Sequence, residues 1–96
     1  MPTTEKLLAQ MFGNNARTRL LALFFLHPDV EFRTVSSINR ETGLAHQTIR
    51  LAVQELASLG LLDVFSTGQS KIIRVHENSA LSTAFSQFIA MLKEVE

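Results

Sequence analysis

Residues 34–60 read TVSSINRETGLAHQTIRLAVQELASLG, and this stretch decides the fold. Thr34 can cap a short helix that turns Ile38 inward. Gly43 marks a tight turn, and a longer helix follows and stops at Gly60. In that second helix Ile49, Val53, Leu56 and Leu59 recur at spacings of four, three and three residues, so one face is apolar. His46, Gln47, Arg50 and Gln54 make the other face polar. Two helices joined by a tight turn, the second lined outside with hydrogen-bonding groups, form the shape that enters a DNA major groove.

The flanking segments supply further elements. Upstream, Thr3 or Thr4 caps a first helix, with Glu5 favourably placed at its positive end. Leu7, Leu8, Met11 and Phe12 line one side of it, and Gly13 ends it. Asn14 or Asn15 starts a second helix, in which Leu20, Leu21, Leu23, Phe24, Phe25 and Leu26 run nearly all round, the mark of a central, buried helix. Arg17 and Arg19 sit in its first turns, where the helix dipole disfavours cations, so local preference does not explain them. Pro28 stops this helix, and Val30–Arg33 has a brief extended pattern.

Downstream of Gly60, LLDVFSTGQSKIIRVHE reads as two strands around a turn at residues 66–70, with Gly68 available for positive φ. Leu62 and Val64 alternate on one strand, Ile73 and Val75 on the other. Asn78 or Ser79 then caps a last helix whose apolar positions are Leu81, Ala84, Phe85, Phe88, Ile89, Leu92 and Val95. The chain is therefore mainly α with a small β-hairpin. It is expected to be one domain over residues 1–96, with a core at about 14–77 and flanking helices at 3–12 and 79–95.

Composition narrows the function classes. The 96 residues contain 46% hydrophobic residues and no cysteine, which suits a globular protein without disulfides or thiolate metal sites. No apolar run approaches the roughly 20 residues that span a membrane, and the N-terminus lacks a secretory pattern, so a cytoplasmic location is expected. His27, His46 and His76 are scattered, without acidic or cysteine partners at ligand spacing. Neither a metal nor another cofactor is expected. No glycine-rich phosphate loop or nucleophile–base pattern suggests catalysis. Nine basic and nine acidic residues cancel, so DNA affinity depends on where the charges are placed rather than on their sum.

Taken in order, Asn15-Ala16-Arg17-Thr18-Arg19-Leu20-Leu21, Thr42-Gly43-Leu44, Thr48-Ile49, Leu56 and Leu59-Gly60-Leu61-Leu62, followed by the Gly68 turn with Lys71 and Arg74, resemble the small ArsR/MarR-like winged helix-turn-helix transcriptional regulators. The resemblance covers about residues 13–96 and implies a winged helix with extra N- and C-terminal helices. It implies that the outer face of the second motif helix reads bases while the hairpin, or wing, touches phosphate or the minor groove. By position, His46, Gln47, Thr48, Arg50 and Gln54 would face the bases. Gln47 and Gln54 suit adenine, Arg50 suits guanine or phosphate, and Thr48 suits phosphate or a thymine methyl. Lys71 and Arg74 would be wing contacts, one of the two pointing away because they are three apart on a strand, and Arg17 would reach backbone phosphate. Three positions depart from the pattern. Ala45 stands where Ser or Thr usually caps, a loss of about 1 kcal/mol. Leu51 stands where a polar or basic residue is usual, and Asn39 where a small apolar one is.

His27-Pro28-Asp29 matches the tripeptide of J-domain cochaperones, but the flanking helices lack that family's basic face and the tripeptide reads as a helix stop. The first and last helices carry more apolar surface than a winged-helix core needs. A homodimer is expected through Leu7, Leu8, Met11, Phe85, Phe88, Ile89 and Leu92. Two recognition helices would then meet double-stranded DNA half-sites roughly 34 Å apart. The expected function is a dimeric winged-helix regulator, acting as a repressor by occupying a promoter. The alternative is a winged-helix module that binds a protein partner without reading DNA.

Overall fold

Short polar residues ahead of apolar runs set the starts of most helices. In the structure, a computed structural model that describes residues 3–95, Thr3 caps α1 (Thr4–Phe12) by accepting a bond from the Lys6 N–H. Asn15 caps α2 (Ala16–Leu26) through the Thr18 N–H. Thr34 and Ser37 form a reciprocal capping box at α3 (Val35–Thr42), satisfying two backbone donors at once. Among the described helices only α4 (His46–Ser58) starts without a side-chain cap, at Ala45. The strands β1 (Leu62–Thr67) and β2 (Ser70–Val75) follow, and Ser79 caps α5 (Ala80–Lys93) through the Ser82 N–H. The order is that of a winged helix with an added helix at each end.

The core gathers around α2. Leu20, Phe24 and Phe25 of that helix are buried with Ile38 of α3, Ile49, Val53 and Leu56 of α4, and Leu62 and Ile73 of the hairpin. The apolar face expected for α4 holds at Ile49, Val53 and Leu56 but not at Leu59, which is 57% exposed. The helix has already ended there. Gly60, at φ 81, donates to the Ala57 carbonyl, while the Leu61 N–H reaches back to Leu56 O at 3.0 Å. This pair of bonds is a Schellman stop, which brings Leu61 rather than Leu59 against Leu56. Ser79 Oγ then donates to the Gly60 carbonyl at 2.6 Å, tying the start of α5 to the end of α4.

The hairpin is antiparallel, with Leu62 opposite Val75 and Val64 opposite Ile73, the alternation anticipated from the residues. A third short extended segment lies beside it. Arg33 and Ile73 exchange both backbone hydrogen bonds at 2.8 Å, so the chain just before α3 pairs with β2 for a single residue. The pairing places Arg33 on the inner face, 4% exposed, and leaves Phe32 outside at 52%. Because side chains alternate along a strand, a shift of one residue in pairing would reverse the two. The Arg33 guanidinium lies 5.1 Å from the Phe24 ring centre, and its Nε is 3.3 Å from a Glu41 carboxylate oxygen. Arg33 Nη1 is buried without a hydrogen-bond partner among the described residues. Arg33 thus joins α2, α3 and the wing at the cost of holding a charge out of water.

The end helices pack on this body through aromatic rings. Phe85 meets Phe25 edge-on at 4.8 Å, and Phe12 meets Phe88 at 6.2 Å. This changes the subunit surface expected from the residues. Leu8 and Ile89 are 0% and 3% exposed, enclosed in the chain's own core and closed to a partner. Leu7, Phe85, Phe88 and Leu92 are half-buried. The large apolar side chains left outside are Met11 and Phe12 on α1, Leu81 and Met91 on α5, and Val95 just past the end of α5. Ala84 is also outside, so the inward face of α5 is narrower than its apolar pattern. Among the described residues, no helix is long and apolar enough to cross a membrane.

Candidate nucleic-acid interface

The turn between α3 and α4 is held by a closed set of hydrogen bonds. Gly43 occupies the left-handed region at φ 75, a conformation that suits glycine because it has no Cβ. Its N–H donates to Asn39 O at 2.8 Å. Asn39 Nδ2 donates to the Leu44 carbonyl at 2.7 Å. Asn39, which departs from the small apolar residue usual there, therefore fastens the turn with its side chain. Thr42 Oγ1 donates to Ile38 O at 2.7 Å and accepts from the Leu44 N–H at 3.1 Å. From α2, an Arg19 Nη2 donor reaches the Thr42 carbonyl at 2.6 Å. A guanidinium at the carbonyl end of a helix is favourably placed. The position of Arg19 at the wrong end of its own helix thus finds its reason in a neighbouring one.

These bonds fix the direction in which α4 leaves the turn. Ile49 is fully buried, while His46, Gln47, Thr48, Arg50, Leu51, Gln54 and Glu55 are exposed. With no side-chain cap at Ala45, the first N–H groups of α4 have no capping side-chain oxygen.

Beside α4 the hairpin closes one wall of a groove of about 330 Å³. Arg50 and Gln54 of α4 form one side, Gln69, Ser70 and Lys71 of the wing the other, and Thr34 and Ser36 the end at α3. Val53, Val64 and Ile73 line it as apolar residues. Neither Arg50 nor Lys71 forms an ion pair with any described residue, and no carboxylate lines the groove. A zero net charge therefore coexists with two unpaired cations around one concave site. Three ion contacts lie away from the groove: Arg17 pairs with Glu55 at 2.9 Å, Arg33 with Glu41, and His76 Nδ1 meets Asp63 at 2.6 Å.

The expected binding residues thus divide into three places. Arg50, Gln54 and Lys71 share the groove. His46, Gln47 and Thr48 lie along the first turn of α4. Arg17 and Arg74 stand apart. Arg17 is held by Glu55 on the α2 side of α4, a pair with both members about half exposed; pairs of this kind contribute about 0.2–1 kcal/mol. Arg74 alternates with Ile73 and so lies on the opposite face of the wing, with its guanidinium 4.8 Å from the Phe65 ring centre and beside Glu31 and Phe32. Thr34, Ser36 and the wing residues Gln69 and Ser70 join the groove without having been singled out from the residues. A capping Thr and turn residues carry no signal of this in sequence, because their part in the groove depends on the packing of the hairpin against α4. Among the described residues, no three histidine or acidic side chains gather as a metal site would require.

No protein-family model matches the chain, and no curated protein matches its sequence. A solved structure does match. BpsR of Bordetella bronchiseptica, a protein whose DNA binding is regulated by 6-hydroxynicotinic acid, superposes with a TM-score of 0.63 at 12% sequence identity. The match covers 96% of this chain and 66% of that one. The chain therefore shares its fold, from α1 through α5, with a DNA-binding protein, and spans just under two thirds of that protein's length. The shared fold is a winged helix with an added helix at each end.

Proposed function

We propose that this chain is a DNA-binding transcriptional regulator that works as a homodimer and represses by occupying its site. One observation carries the reading: unpaired Arg50 and Lys71 flank a groove between the exposed face of α4 and the wing, with Gln54 beside Arg50 on the α4 side and no acid in the lining. A duplex seated there would place bases against Gln47, Arg50 and Gln54 and phosphate against Lys71. The likeness to BpsR, a protein that binds DNA, supports the same use of the fold. The dimer is supported by Met11, Phe12 and Met91, all exposed on the two helices joined by the Phe12–Phe88 contact, and by exposed Val95 just past the end of α5. A second copy placed there would pair two recognition helices across one two-fold axis.

The test is a salt titration with mixed-sequence duplex DNA, read by fluorescence anisotropy. The logarithm of the association constant is expected to fall linearly with that of salt concentration, with a slope of about −2 to −4 for the few phosphates that a dimer neutralises. Absence of binding at low salt would refute the DNA reading and leave the protein-partner module standing. The dimer has its own measurement. Met91→Asp, at a side chain 67% exposed, is expected to halve the light-scattering mass without loss of helical signal. A parent chain that already scatters as a monomer would overturn the dimer.

A further inference from the structure

We propose that Leu51 is a specificity-determining residue that reads the 5-methyl group of thymine in the major groove, an assignment that rests on the DNA reading above. Leu51 is 50% exposed on α4. Its neighbours one turn away are Gln47, Thr48, Gln54 and Glu55, all polar and all exposed. Its apolar surface therefore stands alone. Protein-docking faces need a contiguous apolar patch, and this one is a single side chain wide.

Its position gives that side chain a use. Arg50 and Gln54 line the groove towards the wing. Thr48, Leu51 and Glu55 line a shallower furrow of about 320 Å³ on the other side of α4, closed by Arg17 of α2. Leu51 thus lies on the outer face between hydrogen-bonding residues, where an apolar group meets a base edge. The thymine methyl is the apolar feature that the major groove presents, and apolar side chains are what contact it. The nearest carboxylate would oppose DNA, but Glu55 is held at 2.9 Å by Arg17, so its charge is offset on the α2 side. The departure of Leu51 from a polar or basic residue then adds sequence preference in place of phosphate affinity.

The experiment removes one methyl group at a time. Duplexes are first selected by the full-length chain from a random pool, and each thymine of the best duplex is then replaced singly by deoxyuridine, which keeps every hydrogen-bonding group. At one thymine per half-site, the dissociation constant is expected to rise about three- to fivefold, the effect of burying one methyl group. Leu51→Ala, a substitution at an exposed site by a good helix former, is expected to melt like the parent and to bind the thymine and uracil duplexes equally. Two results would overturn the assignment: no thymine at which the parent chain discriminates, or discrimination that persists in Leu51→Ala. Binding to mixed duplex is measured beforehand, so failure of the DNA reading shows as no salt-dependent binding at all, whereas failure of this assignment leaves that binding intact.

Discussion

Ile49→Ala is expected to lower the stability of the chain by about 2–5 kcal/mol, the range for emptying a fully enclosed aliphatic site. Ile49 is 0% exposed and sits one turn into α4, opposite the exposed face. Its removal leaves a cavity where α4 packs into the body formed by α2 and α3. For a chain of this size each kcal/mol moves the melting temperature by about 4–8 °C, so a fall of roughly 8–40 °C is expected by calorimetry or thermal circular dichroism. A large part of a typical total stability of about 5–15 kcal/mol would be gone. Leu59→Ala is the matched control. It carries the same apolar character in sequence but is 57% exposed, and it should stay within about 0.5 kcal/mol of the parent. Equal losses at the two positions would contradict the helix end described at Gly60.

Arg50→Ala is expected to weaken binding to a selected duplex by about 1–3 kcal/mol, roughly 5- to 150-fold in the dissociation constant. The loss on mixed-sequence duplex should be smaller, because a guanidinium that reads guanine contributes little where guanine is absent. Lys71→Ala is the contrasting variant. A lysine on the wing that meets phosphate should, when removed, weaken binding to both duplexes alike and flatten the salt slope by about one for each phosphate left without its cation. Anisotropy titrations at several salt concentrations measure all of these quantities. Equal losses on both duplexes for Arg50→Ala would make it a backbone contact and leave base reading to Gln47, Gln54 and Leu51. Both variants lie on exposed side chains, so neither is expected to move the melting temperature as Ile49→Ala does.

The residues themselves were enough for much of the architecture. Spacing along 46–58 placed Ile49, Val53 and Leu56 on one face of a helix, and the even apolar coverage of 20–26 marked a central one. Caps are local, so Thr34 and the Asn and Ser candidates needed only their near neighbours. Strand alternation around Gly68 located the wing. Leu59 fell outside this logic because a helix end is set by backbone bonds at Gly60, and the apolar period continues past it. Arg33 fell outside it too. A single bridge to Ile73, forty residues away in sequence, decides which side of the chain faces in, and no local pattern carries that information.

The candidate site shows the same division. Sequence by itself determined which groups α4 offers outward, because helical period alone separates Gln47, Arg50 and Gln54 from the apolar positions. Only tertiary structure decided which of the cations remain available. Arg17 and Arg50 look alike in sequence, yet one meets Glu55 across the gap between two helices and the other faces an acid-free groove. Lys71 and Arg74 are separated by the parity of one strand, and only the packing of the hairpin says which parity faces α4. The physical reason is common to all of these cases. Periodicity and capping act over one or two turns of chain, whereas charge pairing and groove formation act across space, between residues that the fold alone makes neighbours.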